Sequence, residues 1–185
     1  MEVVGFYFGS FDPPHLGHYN MIKEALKYVS KVIIVPAWKN RWKQEAKAAF
    51  ECRVGFLEMI ARDIDPRRVI VSDIEKKLAK EDNQGVPTYR TLFELSKGYP
   101  NFKIITSSET YRDISKWKNG DDILEMNEFI IFNRPGYNSL PGAHDIESDL
   151  VVSSTELKKK IKNGEGINSL IPDIIPTKKY LELYG

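Results

Sequence analysis

Short apolar runs alternate with amphipathic stretches along most of the chain. Val3 to Phe8, Lys31 to Pro36, Val69 to Val71, Phe102 to Thr106 and Glu128 to Asn133 are nearly continuous apolar segments. That is the form taken by strands buried on both faces of a parallel sheet. Between them, Tyr19 to Ser30 sets Met21, Ile22, Ala25, Leu26 and Val29 on one side of a predicted helix. Phe50, Val54, Leu57 and Ala61 mark the inner face of another, and Tyr89, Leu92, Phe93 and Leu95 that of a shorter one.

Strands separated by helices in this order predict right-handed βαβ crossovers. The expected fold class is α/β, a Rossmann-like mostly parallel sheet flanked by helices, with a ligand crevice at the carboxyl ends of the strands. Lys76 to Pro87 and Pro135 to Ser148 mix charge with Gly, Pro and Asn without periodicity and read as loops. From Val151 the character changes. Ser153-Ser154-Thr155-Glu156 opens a basic helix that closes near Asn163-Gly164, and Pro172 and Pro176 precede a last helical segment to Tyr184. The expected organisation is a single domain over residues 1–185, with a core over 1–150 and a small C-terminal helical lobe over 151–185.

The 185 residues suffice for one α/β domain with a full core. With 27 basic and 26 acidic side chains, the formal net charge is +1. No global field points to nucleic acid or an anionic membrane as partner, so any anion site must be local. The first residues enter a strand without a leader-like segment, and no apolar run approaches the roughly 20 residues of a membrane span, which makes a cytoplasmic protein the expectation. Cys52 is the single cysteine and sits in a helical pattern, which excludes an intrachain disulfide or a thiolate-rich zinc site and reads as a packed thiol.

Chemistry concentrates after the first strand. Gly9-Ser10-Phe11-Asp12-Pro13-Pro14-His15-Leu16-Gly17-His18 places two of the chain's three histidines at a strand-to-helix turn, where free backbone N–H groups favour an anion. A plainer reading has His15 and His18 capping the helix while Gly17 allows a tight turn. Near the other end, Val152-Ser153-Ser154-Thr155-Glu156-Leu157-Lys158 offers hydroxyls and N–H groups at a helix start with a cation one turn on. This suits phosphate, and equally a capping box with Ser153 as N-cap and Glu156 reaching back.

The first block resembles the HxGH signature of the nucleotidyltransferase superfamily, in the form found in bacterial nicotinate-nucleotide adenylyltransferases. The second resembles that superfamily's Ile-Ser-Ser-Thr-x-x-Arg motif, with Lys158 in place of arginine. Pro87-Thr88-Tyr89-Arg90-Thr91-Leu92, Ile114-Ser115-Lys116-Trp117-Lys118-Asn119 and Arg134-Pro135-Gly136-Tyr137 are similar to further family segments, in matching order from Val3 to Tyr184. Ser107-Ser108-Glu109 departs from the family's Gly-Ala-Asp, adding bulk at Ser107 and a longer carboxylate arm at Glu109.

The resemblance implies that AMP passes from ATP to nicotinate mononucleotide, with pyrophosphate released and Mg²⁺ delivered by ATP without dedicated protein ligands. It implies His15 and His18 as catalytic residues. ATP would meet Gly9, Ser10, Phe11, His15, His18, Lys43, Ser107, Glu109, Val152, Ser153, Ser154, Thr155 and Lys158. Lys39 and Arg41 rival Lys43 for the phosphate-facing position, and Arg53 resembles the arginine of the family's following His-Arg pair. The pyridine nucleotide would meet Thr88, Tyr89, Trp117, Lys118 and Arg134, although a loop tryptophan can equally pack beneath its loop and Arg134 can be a solvated charge. Nicotinamide mononucleotide or another acceptor, or a regulatory nucleotide-binding module of low turnover, are the alternatives. A homo-oligomer is compatible with the sequence.

Overall fold

The computed structural model describes residues 2–39, 46–79, 85–146 and 150–185. Strands β1 (Val4–Gly9), β2 (Lys31–Pro36), β3 (Val69–Val71), β4 (Phe102–Ser107), β5 (Phe129–Asn133) and β6 (His144–Asp145) form one sheet in the order β3-β2-β1-β4-β5-β6. Every pairing is parallel. The chain builds outward from β1 to β3, then returns to lay β4 on the other side of β1. Connections therefore diverge between β1 and β4, and the carboxyl ends of these two strands border the crevice that such a reversal opens.

Helices α1 (Leu16–Ala25), α2 (Phe50–Ile64), α3 (Ile74–Leu78), α4 (Thr88–Gly98), α5 (Ser108–Asp113), α6 (Gly120–Met126), α7 (Ser154–Lys162) and α8 (Thr177–Tyr184) cover the sheet. Alternation along the strands divides the core. Tyr7, Val32, Ile34, Ile105 and Phe132 pack with α1, α2, α7 and α8, whereas Phe6, Ile33, Val35 and Ile104 pack with α4 and α6. The C-terminal segment joins the first of these cores through Val152, Leu157, Ile161, Tyr180 and Tyr184, and the Tyr180 ring stacks on Phe56 of α2 at 4.9 Å. Cys52 is half-buried against the same core.

The five expected strands form within a residue or so of their expected ends, and several details differ. β6 lies inside the stretch 135–148 read as a loop, because two residues are too few to show a period. α3 likewise intrudes on the loop expected from Lys76, and it buries an acid, Glu75, which no hydrophobic pattern announces. α1 begins three residues before Tyr19. Phe93 points away from the core of α4 at 63% exposure. In α2 the buried stripe is Phe50, Arg53, Phe56, Leu57, Ile60 and Ala61, with Val54 only half-buried. Among the described residues, no helix is long and apolar enough to cross a membrane.

Candidate active site

The loop leaving β1 turns sharply at Phe11, whose φ of 48° lies in the left-handed region. Its ring folds back edge-on against Tyr7 (5.2 Å) and His18 (4.9 Å). Gly9 makes that fold possible, since a Cβ there would lie 2.9 Å from the Phe11 ring. His15 then takes the N-cap position of α1 in extended backbone. Its N–H donates to His18 Nδ1 at 3.2 Å, and the two imidazoles stack with centroids 3.8 Å apart. Because His18 Nδ1 accepts this bond, the proton of its neutral ring sits on Nε2, leaving that nitrogen as a donor.

Gly17 has a role other than the tight turn of the plainer reading. A Cβ at this position would stand 3.0 Å from His15 Nδ1 and Cε1 and 3.3 Å from Val152 Cγ1, so glycine lets the imidazole and the segment before α7 close on each other. His15 is 2% exposed, and among the described residues its Nδ1 has no hydrogen-bond partner. Burial, with the Arg134 charge adding to it, pulls His15 down to about 3. Burial also takes His18 well below the ordinary histidine range, reinforced by His15 and then Arg134. Both rings are thus neutral near pH 7.

The serine-rich end of α7 reaches the same place from the far end of the chain. Ser153 is its N-cap, accepting the Glu156 N–H at 3.1 Å, while the Ser154 hydroxyl donates to the Pro13 carbonyl at 2.8 Å. Thr155 is exposed in the first turn. Lys158 Nζ lies 3.3 Å from Asp12 Oδ2. From β4, Ser107 caps α5 by accepting the Thr110 N–H, and Glu109 Oε1 meets Arg134 at 3.3 Å. Arg134 also donates to the Val152 carbonyl at 2.6 Å. The HxGH loop, the β4 end and the α7 start therefore form one continuous wall.

Thr88, Tyr89, Trp117 and Lys118 gather separately. Thr88 and Trp117 line a small apolar pocket with Phe8, Thr106 and Thr110 at the ends of β1 and β4, and Lys118 Nζ lies 5.8 Å from the Tyr89 ring centroid. The free volume of this pocket is about 10 Å³, the room of one water. The pocket is too small to hold an aromatic ring. Arg134, expected beside these residues, lies instead with Glu109 and Val152 and is not a solvated charge. Lys39 is exposed, whereas Arg41 and Lys43 fall outside the described residues.

Arg53, which resembles the arginine of the family's His-Arg pair, faces inward. At 1% exposure, its guanidinium donates to the carbonyls of Ser10 (2.6 Å), Ala37 (2.8 Å), Trp38 (3.3 Å) and Ala48 (3.3 Å). Asp12 is a second buried hub that sequence reasoning left without a role. It accepts from Lys47 N–H (2.9 Å), Ala48 N–H (3.1 Å) and Tyr184 hydroxyl (2.8 Å) besides Lys158. Burial would raise its carboxyl, but these donors together hold it below the usual range. Tyr7 contributes a buried phenol between His18, Arg134 and Glu109, its pKa raised by burial. The lone charged residue in an otherwise apolar helical stripe was the available signal for Arg53; nothing flagged Tyr7. Among the described residues, no three His, Cys, Asp or Glu side chains group as a metal site.

A model of the cytidylyltransferase-like family matches residues 6–160. A protein of Anaeromyxobacter dehalogenans named "probable nicotinate-nucleotide adenylyltransferase" is 32% identical over 169 residues, covering 89% of this chain and 87% of its own. A protein of the same name from Oceanobacillus iheyensis is 30% identical, covering 100% of this chain and 98% of its own. The chain belongs to the nicotinate-nucleotide adenylyltransferase family. Its fold matches that of a Plasmodium falciparum nicotinic acid mononucleotide adenylyltransferase complexed with NaAD, with a TM-score of 0.78 at 21% identity, covering 100% of this chain and 99% of the other. Within this family the departures noted above fall on the β4 end, where Ser107 serves as a helix cap, and at Lys158, which is paired to Asp12.

Proposed function

We propose that this protein catalyses adenylyl transfer from ATP to nicotinate mononucleotide, forming the deamido dinucleotide and pyrophosphate. The observation that carries this reading is the convergence of the stacked His15–His18 pair with the start of α7, stitched by Ser154 to Pro13 at 2.8 Å. The N-termini of α1 and α7 are thereby brought together, and each favours an anion.

The acceptor brings its own nucleophile. A phosphate oxygen of the mononucleotide bonds to the α-phosphorus of ATP while the bond from that phosphorus to the bridging β-phosphate oxygen breaks, and the electron pair leaves with pyrophosphate. No serine, cysteine or strong base is required of the protein. Its work is alignment and stabilisation of charge on the transferring group. His18 Nε2–H supplies a neutral preorganised donor, which is available at neutral pH because burial keeps the ring uncharged. Lys158 is the cation of α7 assigned to the triphosphate, exchanging its Asp12 contact for phosphate oxygens. Mg²⁺ enters with ATP as part of that substrate.

On the acceptor side, Trp117 and Tyr89 provide aromatic faces, and the turn around Lys118 provides backbone donors for a carboxylate. The test is pyrophosphate release by purified protein with ATP, Mg²⁺ and either pyridine mononucleotide. Faster turnover with the nicotinate form is expected. A higher kcat/KM for nicotinamide mononucleotide overturns the substrate assignment, and no pyrophosphate with either overturns the reaction.

A further inference from the structure

We propose that Glu75 and Arg53 are positioning residues that clamp the Ala37–Trp38 backbone and so hold the ATP-side loop and the acceptor-side helix at a fixed spacing. This rests on the adenylyl-transfer reading above. Neither side chain is among the residues assigned to ATP or to the pyridine nucleotide.

Glu75 is 4% exposed, and Arg53 1%. Between them they take three consecutive polar groups of the segment leaving β2. Glu75 Oε2 accepts the Trp38 N–H at 2.9 Å, while Arg53 Nη2 donates to the Ala37 carbonyl at 2.8 Å and the Trp38 carbonyl at 3.3 Å. Each then reaches a different half of the site. Arg53 Nη1 binds the Ser10 carbonyl at 2.6 Å, at the entry of the HxGH loop. Glu75 Oε1 lies 3.5 Å from the Thr91 hydroxyl, one turn along α4 from Thr88 and Tyr89.

The path Ser10–Arg53–Trp38–Glu75–Thr91 therefore links the loop assigned to ATP to the helix assigned to the pyridine nucleotide. Its side-chain members Arg53, Glu75 and Thr91 are buried, so a broken bond leaves a polar atom unsatisfied there, while the backbone they hold at Ser10 and Trp38 is half-buried. An ordinary core would use apolar residues of the same volume at lower cost. Two loops that must bring an attacking oxygen and a phosphorus into line need their separation fixed, and small misplacements there are costly in rate.

The charged surroundings of Glu75 bear on how the clamp responds to pH. From α2 it faces Arg53; from α4 the Thr91 hydroxyl; from the β2 loop the Trp38 amide. On its own helix, Lys76 pairs with Glu51 and Lys77 with Asp73. Burial raises Glu75 to about 7 against the pull of these partners. The ionised form is the stronger acceptor for Trp38 N–H and the better companion for Arg53, so the clamp tightens as pH rises through neutrality.

The test compares Glu75→Ala, Glu75→Gln and wild type by steady-state kinetics from pH 6 to 8.5 and by hydrogen exchange of the Trp38 backbone amide. Glu75→Ala is expected to lose roughly 10–100-fold in kcat, with Trp38 protection reduced. Glu75→Gln, whose amide oxygen still accepts the bond, is expected to restore protection and most of the rate while losing the rise in kcat near pH 7. Wild type needs no substitution to be informative, because its Trp38 protection, corrected for intrinsic exchange, should fall below neutrality. A folded Glu75→Ala with kcat and both KM values within twofold of wild type overturns the proposal. So does a slowed variant with Trp38 protection unchanged. If wild type releases no pyrophosphate, the functional reading fails, and Trp38 protection in Glu75→Ala still separates a working clamp from none.

Discussion

The hydroxyl of Tyr184 donates to Asp12 Oδ1 at 2.8 Å across 172 residues of sequence. Through that bond the last turn of α8 reaches the loop that carries the histidines, and the same carboxylate holds Lys158 of α7 at 3.3 Å. Tyr184→Phe keeps the packing on Tyr180 and removes one donor from a buried, ionised acceptor. A loss of roughly 1.5–3 kcal/mol in unfolding free energy is expected. With Asp12 less satisfied, Lys158 is bound to it more firmly, so KM for ATP should rise severalfold while kcat changes little. Urea unfolding and ATP titrations check the two parts, and a variant unchanged in both removes Asp12 from its place as a hub.

Acid should destabilise the protein through the histidine pair. His15 is lowered to about 3 from an ordinary 6.5, so between these values the unfolded chain binds the extra proton. The stability from this group is present above about pH 6.5 and is lost as pH falls toward 3, by up to about 4 kcal/mol. His18 and Asp12, both lowered, act in the same direction. Glu75 opposes them: raised to about 7 from 4.5, it contributes stability below its unfolded value that disappears as pH rises through 7. Urea midpoints should therefore fall from pH 7 to pH 4, more steeply in Glu75→Gln and less steeply in His15→Gln. A flat profile in all three would rule out buried neutral imidazoles.

His18 offers the directional donor of the pair. Removing it in His18→Ala is expected to reduce kcat by roughly 10²–10³-fold, or about 3–4 kcal/mol of transition-state stabilisation, with little change in KM for either nucleotide. Circular dichroism and ATP binding by calorimetry should remain close to wild type. Turnover within threefold of wild type in such a folded variant would transfer the role to another group.

Local pattern revealed those features whose cause is local. β1, β2, β4 and β5 are long enough for apolar runs to be visible, and the turn chemistry from Gly9 to His18 is contiguous, so both fold class and the HxGH loop were readable from the chain. Ser153 capping α7 was equally readable, since capping involves residues three apart. What escaped depends on contacts between distant segments. Arg53 looks like a surface cation in sequence, yet four carbonyls from separate loops surround it. Asp12 depends on Tyr184, and Arg134 sits beside Glu109 because β4 and β5 are neighbours in the sheet. Sequence separation hides such partners, while the folded topology brings them together.

Gly17 gives a test of the close approach between the two ends of the chain. An added Cβ would stand 3.0 Å from the His15 ring and 3.3 Å from Val152 Cγ1, distances at which a neighbour must give by a few tenths of an ångström. The backbone at Gly17 does not have a positive φ, so Gly17→Ala introduces no conformational strain of its own and alanine even favours the helix. Val152 is anchored by core packing and by its carbonyl on Arg134, which leaves the His15 ring as the group that shifts. Its displacement disturbs the stack on His18 and hence the direction of the Nε2–H donor. A fall of roughly 10-fold in kcat is expected, with a change in unfolding free energy under about 1 kcal/mol. Kinetics and urea unfolding on the same preparation check both. Wild-type kcat in Gly17→Ala would show that the imidazole stack tolerates movement and that its geometry does not limit the reaction.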